Sequence, residues 1–308
     1  MPKIFIERSI QIEVDSSTIF NIISDFNHWL QWSPWLIMDP ETEVTVRSDG
    51  KYYSWKGNRI GEGNMKITDA VENSTVSYDL LFLKPWKSKA KVSFHIEDNG
   101  HFSQVKWTMQ SGLPFFLFWM KRMTEAFLGM DYERGLNMLK EYAEEGQIKT
   151  KLRFKGKSNF KGFHYVGIER VCSKEDLDGQ ITANLAQLSN FLADKKDKII
   201  GAPFAIYAKW DMVNNQIAFT TGIPVSDIKY DLVPGITFGS IPSTSVYTIE
   251  HKGAYKHLGN AWSTLNSMVR SKEFKWDKKI YPFEVYLNDP KSTLPEDLLT
   301  AIHFPLKD

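Results

Sequence analysis

Gly222-Ile223-Pro224-Val225 and His303-Phe304-Pro305-Leu306 close two stretches of the chain that follow one plan. Upstream of the first lie an alternating strand over 161–170, a helical pattern over 178–195 and strands over 203–210 and 216–225. Upstream of the second lie a strand over 244–251, a helix over 255–271 and strands over 282–287 and 298–306. Two strand–helix–strand–strand units in tandem predict a duplicated, pseudo-twofold domain. The units would pair their strands, put both helices on one side and leave a cleft at the seam, where pockets tend to form.

The first half reads differently. Ile4, Ile6, Ile10, Ile12 and Val14 alternate with polar residues, which predicts a half-buried strand. Asp15 caps a helix with the stripe Ile19, Phe20, Ile22, Ile23 and Phe26, and a Trp-rich loop with Trp29, Trp32 and Trp35 follows. From about 42 to 110 the period is two, broken by Ser48-Asp49-Gly50, Lys56-Gly57-Asn58 and Asp98-Asn99-Gly100. This predicts an antiparallel meander of about six strands, closed by a long helix over roughly 117–145. The fold class is therefore α+β. The domains expected are 1–147 and 159–308, with the basic stretch 148–158 as a linker.

Bulk properties narrow the function. Lys plus Arg is 38 and Asp plus Glu is 37, so a net charge of +1 leaves no electrostatic footprint for nucleic acid and no polybasic membrane anchor. The single cysteine, Cys172, excludes an intrachain disulfide and a Cys-rich metal site. The seven histidines are scattered, with no metal-ligand pair on one helix. Gly156-Lys157-Ser158 mimics the end of a phosphate-binding loop, but Lys151 stands where its upstream glycine belongs. No cofactor is expected. The N-terminus alternates instead of forming an apolar block, and a cytoplasmic location is expected.

One residue stands out chemically. Glu284 lies in the aromatic strand Tyr281-Pro282-Phe283-Glu284-Val285-Tyr286, where a carboxylate is costly unless paired or hydrogen-bonded. Strand alternation puts Glu284 and Tyr286 on one face. Tyr255 opens a helix, and Trp262 follows seven residues later, just short of two turns, on nearly the same side. Tyr207 and Trp210 end the equivalent strand of the first repeat. The plainer reading of Glu284 is a carboxylate hydrogen-bonded to a neighbouring tyrosine. In the first half, Trp35, Trp55, Trp107 and the run Phe115–Trp119 are candidates to line a cavity, or simply core. Glu62, between two glycines, is the acidic residue nearest to them in sequence motif, or else solvates a strand edge.

Both halves resemble known families. Trp32-Ser33-Pro34-Trp35, Ser54-Trp55-Lys56-Gly57-Asn58, Gly61-Glu62-Gly63 and 129–140 of the long helix resemble the START-like, polyketide-cyclase (SRPBCC) superfamily of helix-grip proteins. That resemblance implies a curved sheet gripping the last helix around an apolar cavity, with lipids, polyketides or hormones as ligands. Gly201-Ala202-Pro203-Phe204-Ala205-Ile206-Tyr207, His251-Lys252-Gly253-Ala254-Tyr255, Phe283-Glu284-Val285-Tyr286-Leu287-Asn288-Asp289-Pro290 and Ile302-His303-Phe304-Pro305-Leu306 resemble the gyrase-inhibitor-like (GyrI-like) effector-binding domain of multidrug-responsive transcription activators. That resemblance implies Glu284 at the centre of the ligand cleft. The sequence departs from the family at two points: Ala301 replaces a frequent acidic residue, and Pro282 a frequent basic one.

These observations point to a small-molecule binder, a sensor, carrier or sequestering module for hydrophobic ligands, organic cations among them. The ligand-binding set expected is Glu284, Tyr286, Tyr255, Trp262, Tyr207, Trp210, Trp35, Trp55, Glu62 and Trp107. Transcription activators of this kind carry a helix-turn-helix, and here the helix-grip half takes its place, so no direct nucleic-acid partner and no membrane are expected. A hydrolase or cyclase with Glu284 as general base and Tyr255 as donor is the second reading. A module that inhibits a protein partner, or pairs with its own copy, is the third.

Overall fold

The computed structural model describes residues 3–226 and 232–307, and of Phe115 the backbone alone. The first half is a seven-stranded antiparallel sheet in the order β1-β7-β6-β5-β4-β3-β2. The strands are β1 (Lys3–Ile12), β2 (Glu43–Val46), β3 (Tyr52–Gly57), β4 (Gly61–Val71), β5 (Thr75–Lys84), β6 (Ser88–Asp98) and β7 (Ser103–Gly112). The six-strand meander read from the sequence is β2 to β7. Helices α1 (Ser16–Ile23) and α2 (Phe26–Trp32) cross between β1 and β2, and α3 (Lys121–Glu145) closes the half. A 3-10 helix over Phe115–Met120 leads into α3, so the α-helix itself begins four residues later than expected.

Asp15 caps α1 as expected, its carboxylate accepting the Thr18 backbone N–H at 2.7 Å. Asp15→Ala removes this cap, and thermal unfolding of the variant should show a lower melting temperature. The stretch expected as a Trp-rich loop is instead helical through Trp32, and only Trp35 lies beyond it. The i, i+3 spacing of Trp29 and Trp32 puts both rings on one face of α2, and both are buried.

These rings fill the interior of the half. Trp107 stacks on Phe94 at 4.8 Å and on Tyr132 of α3 at 3.9 Å, while Trp29 and Trp32 meet it edge-on at 5.8 and 5.9 Å. Edge-to-face and offset stacks add to the area they bury. Among the described residues the indole N–H groups of Trp29, Trp32 and Trp107 have no hydrogen-bond acceptor. Three buried donors without partners are a cost to the fold.

The second half is an eight-stranded antiparallel sheet in the order β12-β9-β11-β10-β14-β15-β13-β8. The strands are β8 (Lys151–Phe160), β9 (Phe163–Cys172), β10 (Phe204–Asp211), β11 (Gln216–Val225), β12 (Thr237–Ile241), β13 (Thr244–Lys252), β14 (Phe283–Tyr286) and β15 (Leu299–Pro305). Helices α4 (Leu177–Phe191) and α5 (Gly259–Arg270) follow β9 and β13. The two repeats are β9-α4-β10-β11 and β13-α5-β14-β15. Their second strands, β10 and β14, pair antiparallel at the centre, with Ala205 opposite Glu284. This is the twofold arrangement that the tandem pattern predicts.

Two strands lie outside the repeats. Residues 151–158, expected as linker, belong to β8, which pairs with β13 along its length. Its basic residues alternate with Leu152 and Phe154, so the period is two and the charges face solvent. A lysine-rich outer strand also discourages edge-to-edge pairing with other chains. Gly156, at a φ of +79°, sits where the ladder with β13 slips by one residue. The second extra strand, β12, pads β9 at the opposite edge of the sheet.

Candidate functional site

The central pair of strands sends its side chains alternately to two faces. Phe204, Ile206, Phe283 and Val285 pack on one, against Phe160 and Phe163. Ala205, Tyr207 and Tyr286 pack on the other, with Leu177, Ile181 and Leu185 of α4 and Trp262 of α5. Glu284 shares that second face by alternation. Trp210 would point the opposite way from Tyr207 in a regular strand. A bulge at Ala208, between the pairs Tyr207–Phe219 and Lys209–Ala218, turns it back, and the two rings lie 5.5 Å apart.

Glu284 is 2% exposed. Its Oε1 accepts hydrogen bonds from the Tyr207 hydroxyl at 2.8 Å and the Tyr286 hydroxyl at 2.7 Å. Its Oε2 accepts from Trp262 Nε1 at 2.7 Å. Three aromatic donors thus close over one carboxylate. Among the described residues no Lys, Arg or His forms an ion pair with it. The other charge acting on it is the carboxylate of Asp178, in the first turn of α4, which has the same sign. Burial raises the Glu284 pKa above the usual carboxylate value; the three hydrogen bonds pull it down, and Asp178 raises it again. Burial also pushes the Tyr207 and Tyr286 hydroxyls well up and the Tyr255 hydroxyl to about 12. The tyrosines are neutral donors at any physiological pH, so the negative charge of an ionised Glu284 is spread over hydrogen bonds alone.

The two halves match two different families. Residues 158–307 match the GyrI-like small molecule binding domain. Residues 3–144 match the family described as polyketide cyclase / dehydrase and lipid transport. No curated protein matches the chain at significant similarity. Among solved structures, the EcmrR–DNA complex is 16% identical with a TM-score of 0.45, over 63% of this chain and 73% of that one. The EcmrR C-terminal domain is also 16% identical, with a TM-score of 0.44 over 52% of this chain and 99% of that one. The Aha1 dimer from Colwellia psychrerythraea is 19% identical, with a TM-score of 0.36 over 47% of this chain and 99% of that one.

Within the GyrI-like half, five of the residues picked from the sequence gather around Glu284. Tyr207, Tyr286 and Trp262 touch it. Tyr255 stands edge-on to Tyr286 at 5.8 Å, and Trp210 lies behind Tyr207. Tyr255 falls in a 3-10 turn over Tyr255–His257 that precedes α5. Asp178 was missed, because nothing in its local sequence ties it to a strand a hundred residues away.

The residues picked in the polyketide-cyclase-like half do not converge. Trp107 lies at the centre of the aromatic stack. Trp35 sits at its side, edge-on to Trp107 at 5.8 Å, and donates Nε1 to Asp131 at 3.3 Å. Asp131 in turn holds the buried guanidinium of Arg134 at 2.6 Å. Trp55 stacks on Tyr53 at 5.3 Å and borders a depression of about 210 Å³ with Glu62, Tyr52, Ser54 and Asn64. Glu62 itself pairs with Lys84 at 3.0 Å. Of the run Phe115–Trp119, the Phe115 side chain lies outside the described residues, Leu117 packs on the core, and Phe116, Phe118 and Trp119 are exposed. Among the described residues no group of three or more His, Cys, Asp or Glu is placed to hold a metal ion.

Proposed function

We propose that the GyrI-like half binds hydrophobic organic cations at Glu284 and that the chain serves as a sensor, carrier or sequestering module for them. Both family matches support small-molecule binding. One observation carries the finer reading: a buried carboxylate held by three aromatic donors, with a second carboxylate nearby and no counter-cation among the described residues. An ionised group in such a place is under-compensated, and a cation entering among aromatic faces supplies the missing charge. Admission would require Trp262 to swing off Oε2, so that the ligand's positive centre replaces the indole N–H. The surrounding rings of Tyr255, Tyr286 and Trp210 then offer π faces to its apolar body.

The test is thermal unfolding of the whole chain against lipophilic cations such as tetraphenylphosphonium, with neutral aromatics and fatty acids alongside. A ligand that binds only the folded state raises the melting temperature as its concentration rises. Shifts produced by cations and not by neutral compounds of similar size support the proposal. Equal shifts from both, or none from any cation, would refute it.

A further inference from the structure

The polyketide-cyclase-like half carries an exposed aromatic patch that its sheet and helix leave uncovered. Phe116, Phe118 and Trp119 of the 3-10 helix are 73%, 60% and 66% exposed, and Trp86, in the turn between β5 and β6, is 52% exposed. Both segments lie at one end of the sheet. The β6 arm of that hairpin pairs with the end of β7, where Ala90 faces Ser111, and the 3-10 helix starts three residues past β7. Single exposed apolar residues are ordinary, but four large aromatic rings at one end of one unit are not.

The two segments that carry these rings are basic. Residues 83–91 and 113–124 hold six Lys or Arg and no Asp or Glu, in a chain whose net charge is +1. Lys84, Lys91 and Lys121 pair with Glu62, Asp79 and Glu125. Lys87, Lys89 and Arg122 are exposed and form no ion pair among the described residues. Cores of protein–protein interfaces are depleted in lysine. Aromatic rings flanked by Lys and Arg instead match the boundary of an anionic bilayer, where rings sit among headgroups and cations meet lipid phosphates.

We infer that this end of the unit docks on the surface of anionic membranes, with Phe116, Phe118, Trp119 and Trp86 entering the headgroup layer and Lys87, Lys89 and Arg122 pairing with lipid phosphates. The contact is peripheral, since no helix of the described chain is long and apolar enough to cross a membrane. None of the residues around Glu284 takes part in this contact, so membrane docking and the cation site are independent. A net charge of +1 averages this local basic patch away.

Flotation of the full chain with vesicles decides it. Vesicles of phosphatidylcholine with about 30% phosphatidylglycerol should carry the protein, and vesicles of phosphatidylcholine alone should carry far less. Salt at about 0.5 M, which screens exposed charges over a few ångström, should release most of it. Lys87→Glu/Lys89→Glu/Arg122→Glu should lower partitioning by at least about 100-fold, at roughly a factor of five for each cation lost. Phe116→Ser/Trp119→Ser should lower it at least tenfold with the melting temperature nearly unchanged, since these rings are 73% and 66% exposed. Failure to float with anionic vesicles would overturn the inference. So would flotation unchanged by both sets of substitutions, or sedimentation showing that the patch pairs two copies of the chain while vesicles are ignored.

Discussion

Glu284→Gln is expected to weaken binding of tetraphenylphosphonium by at least about 30-fold while leaving affinity for a neutral aromatic within a few-fold. Removing one partner of a desolvated charge pair costs about 2–5 kcal/mol, and each 1.4 kcal/mol is a factor of ten. Glutamine keeps the shape and still accepts from Tyr207 and Tyr286. Its amide N–H group then faces the Trp262 N–H, so the free protein also changes slightly in stability, which a melting curve measures separately. Asp178→Asn should act in the same direction and more weakly, since Asp178 acts on Glu284 through space and not through a hydrogen bond.

The pH dependence gives an independent reading of the same site. Burial raises the Glu284 pKa, and a bound cation favours the ionised form, so cation binding should expel a proton at pH near or below that raised pKa. Cation affinity should therefore fall as pH drops through the raised pKa, by about tenfold per pH unit below it. Titration calorimetry in buffers of different ionisation enthalpy measures the released protons. Binding that is flat with pH, or unchanged in Glu284→Gln, would remove Glu284 from the site whatever the rest of the half binds.

Acidification should also destabilise the GyrI-like half through two histidines, His251 buried and His303 half-buried. His251 pairs its Nε2 with the Thr150 hydroxyl at 2.8 Å, and burial, with His257 nearby, lowers its pKa from 6.5 to about 4. His303 bonds the Thr248 hydroxyl through Nδ1 at 2.8 Å and lies against Phe160 and Phe283, at 5.4 and 4.8 Å. Burial lowers its pKa to about 4 as well. Both rings are held neutral, so their contribution is complete above pH 6.5 and is lost as pH falls from there toward 4. The gap amounts to about 3 kcal/mol per ring once pH is below 4, a large part of an ordinary stability of about 5–15 kcal/mol.

Glu284 works in the opposite sense. With a raised pKa, its stabilising contribution is complete below the ordinary carboxylate value and is lost as pH rises through the folded one. The histidines are therefore isolated by substitution. His303→Phe fits the same aromatic neighbours, leaves the Thr248 hydroxyl unpaired at a cost of about 1 kcal/mol at every pH, and should flatten the fall in melting temperature between neutral pH and about 4.5. A variant curve running parallel to that of the unaltered chain would show that His303 is not the group responsible.

Much of the architecture is written in local periodicity. The strands of both repeats and the six-strand meander show the two-residue alternation that a half-buried strand imposes. The elements that escaped have identifiable reasons. Helix α2 is seven residues long and aromatic, so its composition favours a strand or loop, and burial of Trp29 and Trp32 decides otherwise. Strand β8 hides its alternation under lysines, and β12, Thr237-Phe238-Gly239-Ser240-Ile241, contains a glycine and too few apolar residues to signal a strand. At the site, Glu284 and Tyr286 share a face by simple alternation and were legible. The donation from Tyr207 was not, because it crosses 77 residues of sequence, and the placement of Trp210 depends on a bulge that no residue pattern announces.

The two outer strands carry a consequence for how the GyrI-like half comes into being. The segment that precedes the first repeat, β8, finishes the second repeat by pairing with β13; the segment that precedes the second, β12, finishes the first by pairing with β9. Each repeat thus holds the other's missing edge. The tight turns Phe160–Phe163 and Ile241–Thr244 meet at one corner, where the Ser243 hydroxyl donates to the Phe160 carbonyl at 3.1 Å. During synthesis the first repeat waits with an open edge until residue 241 has emerged, and the earliest strand made waits for nearly a hundred residues to find its neighbour. Contacts so distant in sequence are slow to form and cooperative once formed. The duplicated half is, in folding terms, one indivisible unit: expressed alone, either repeat would expose an unpaired edge and seek a second chain to cover it.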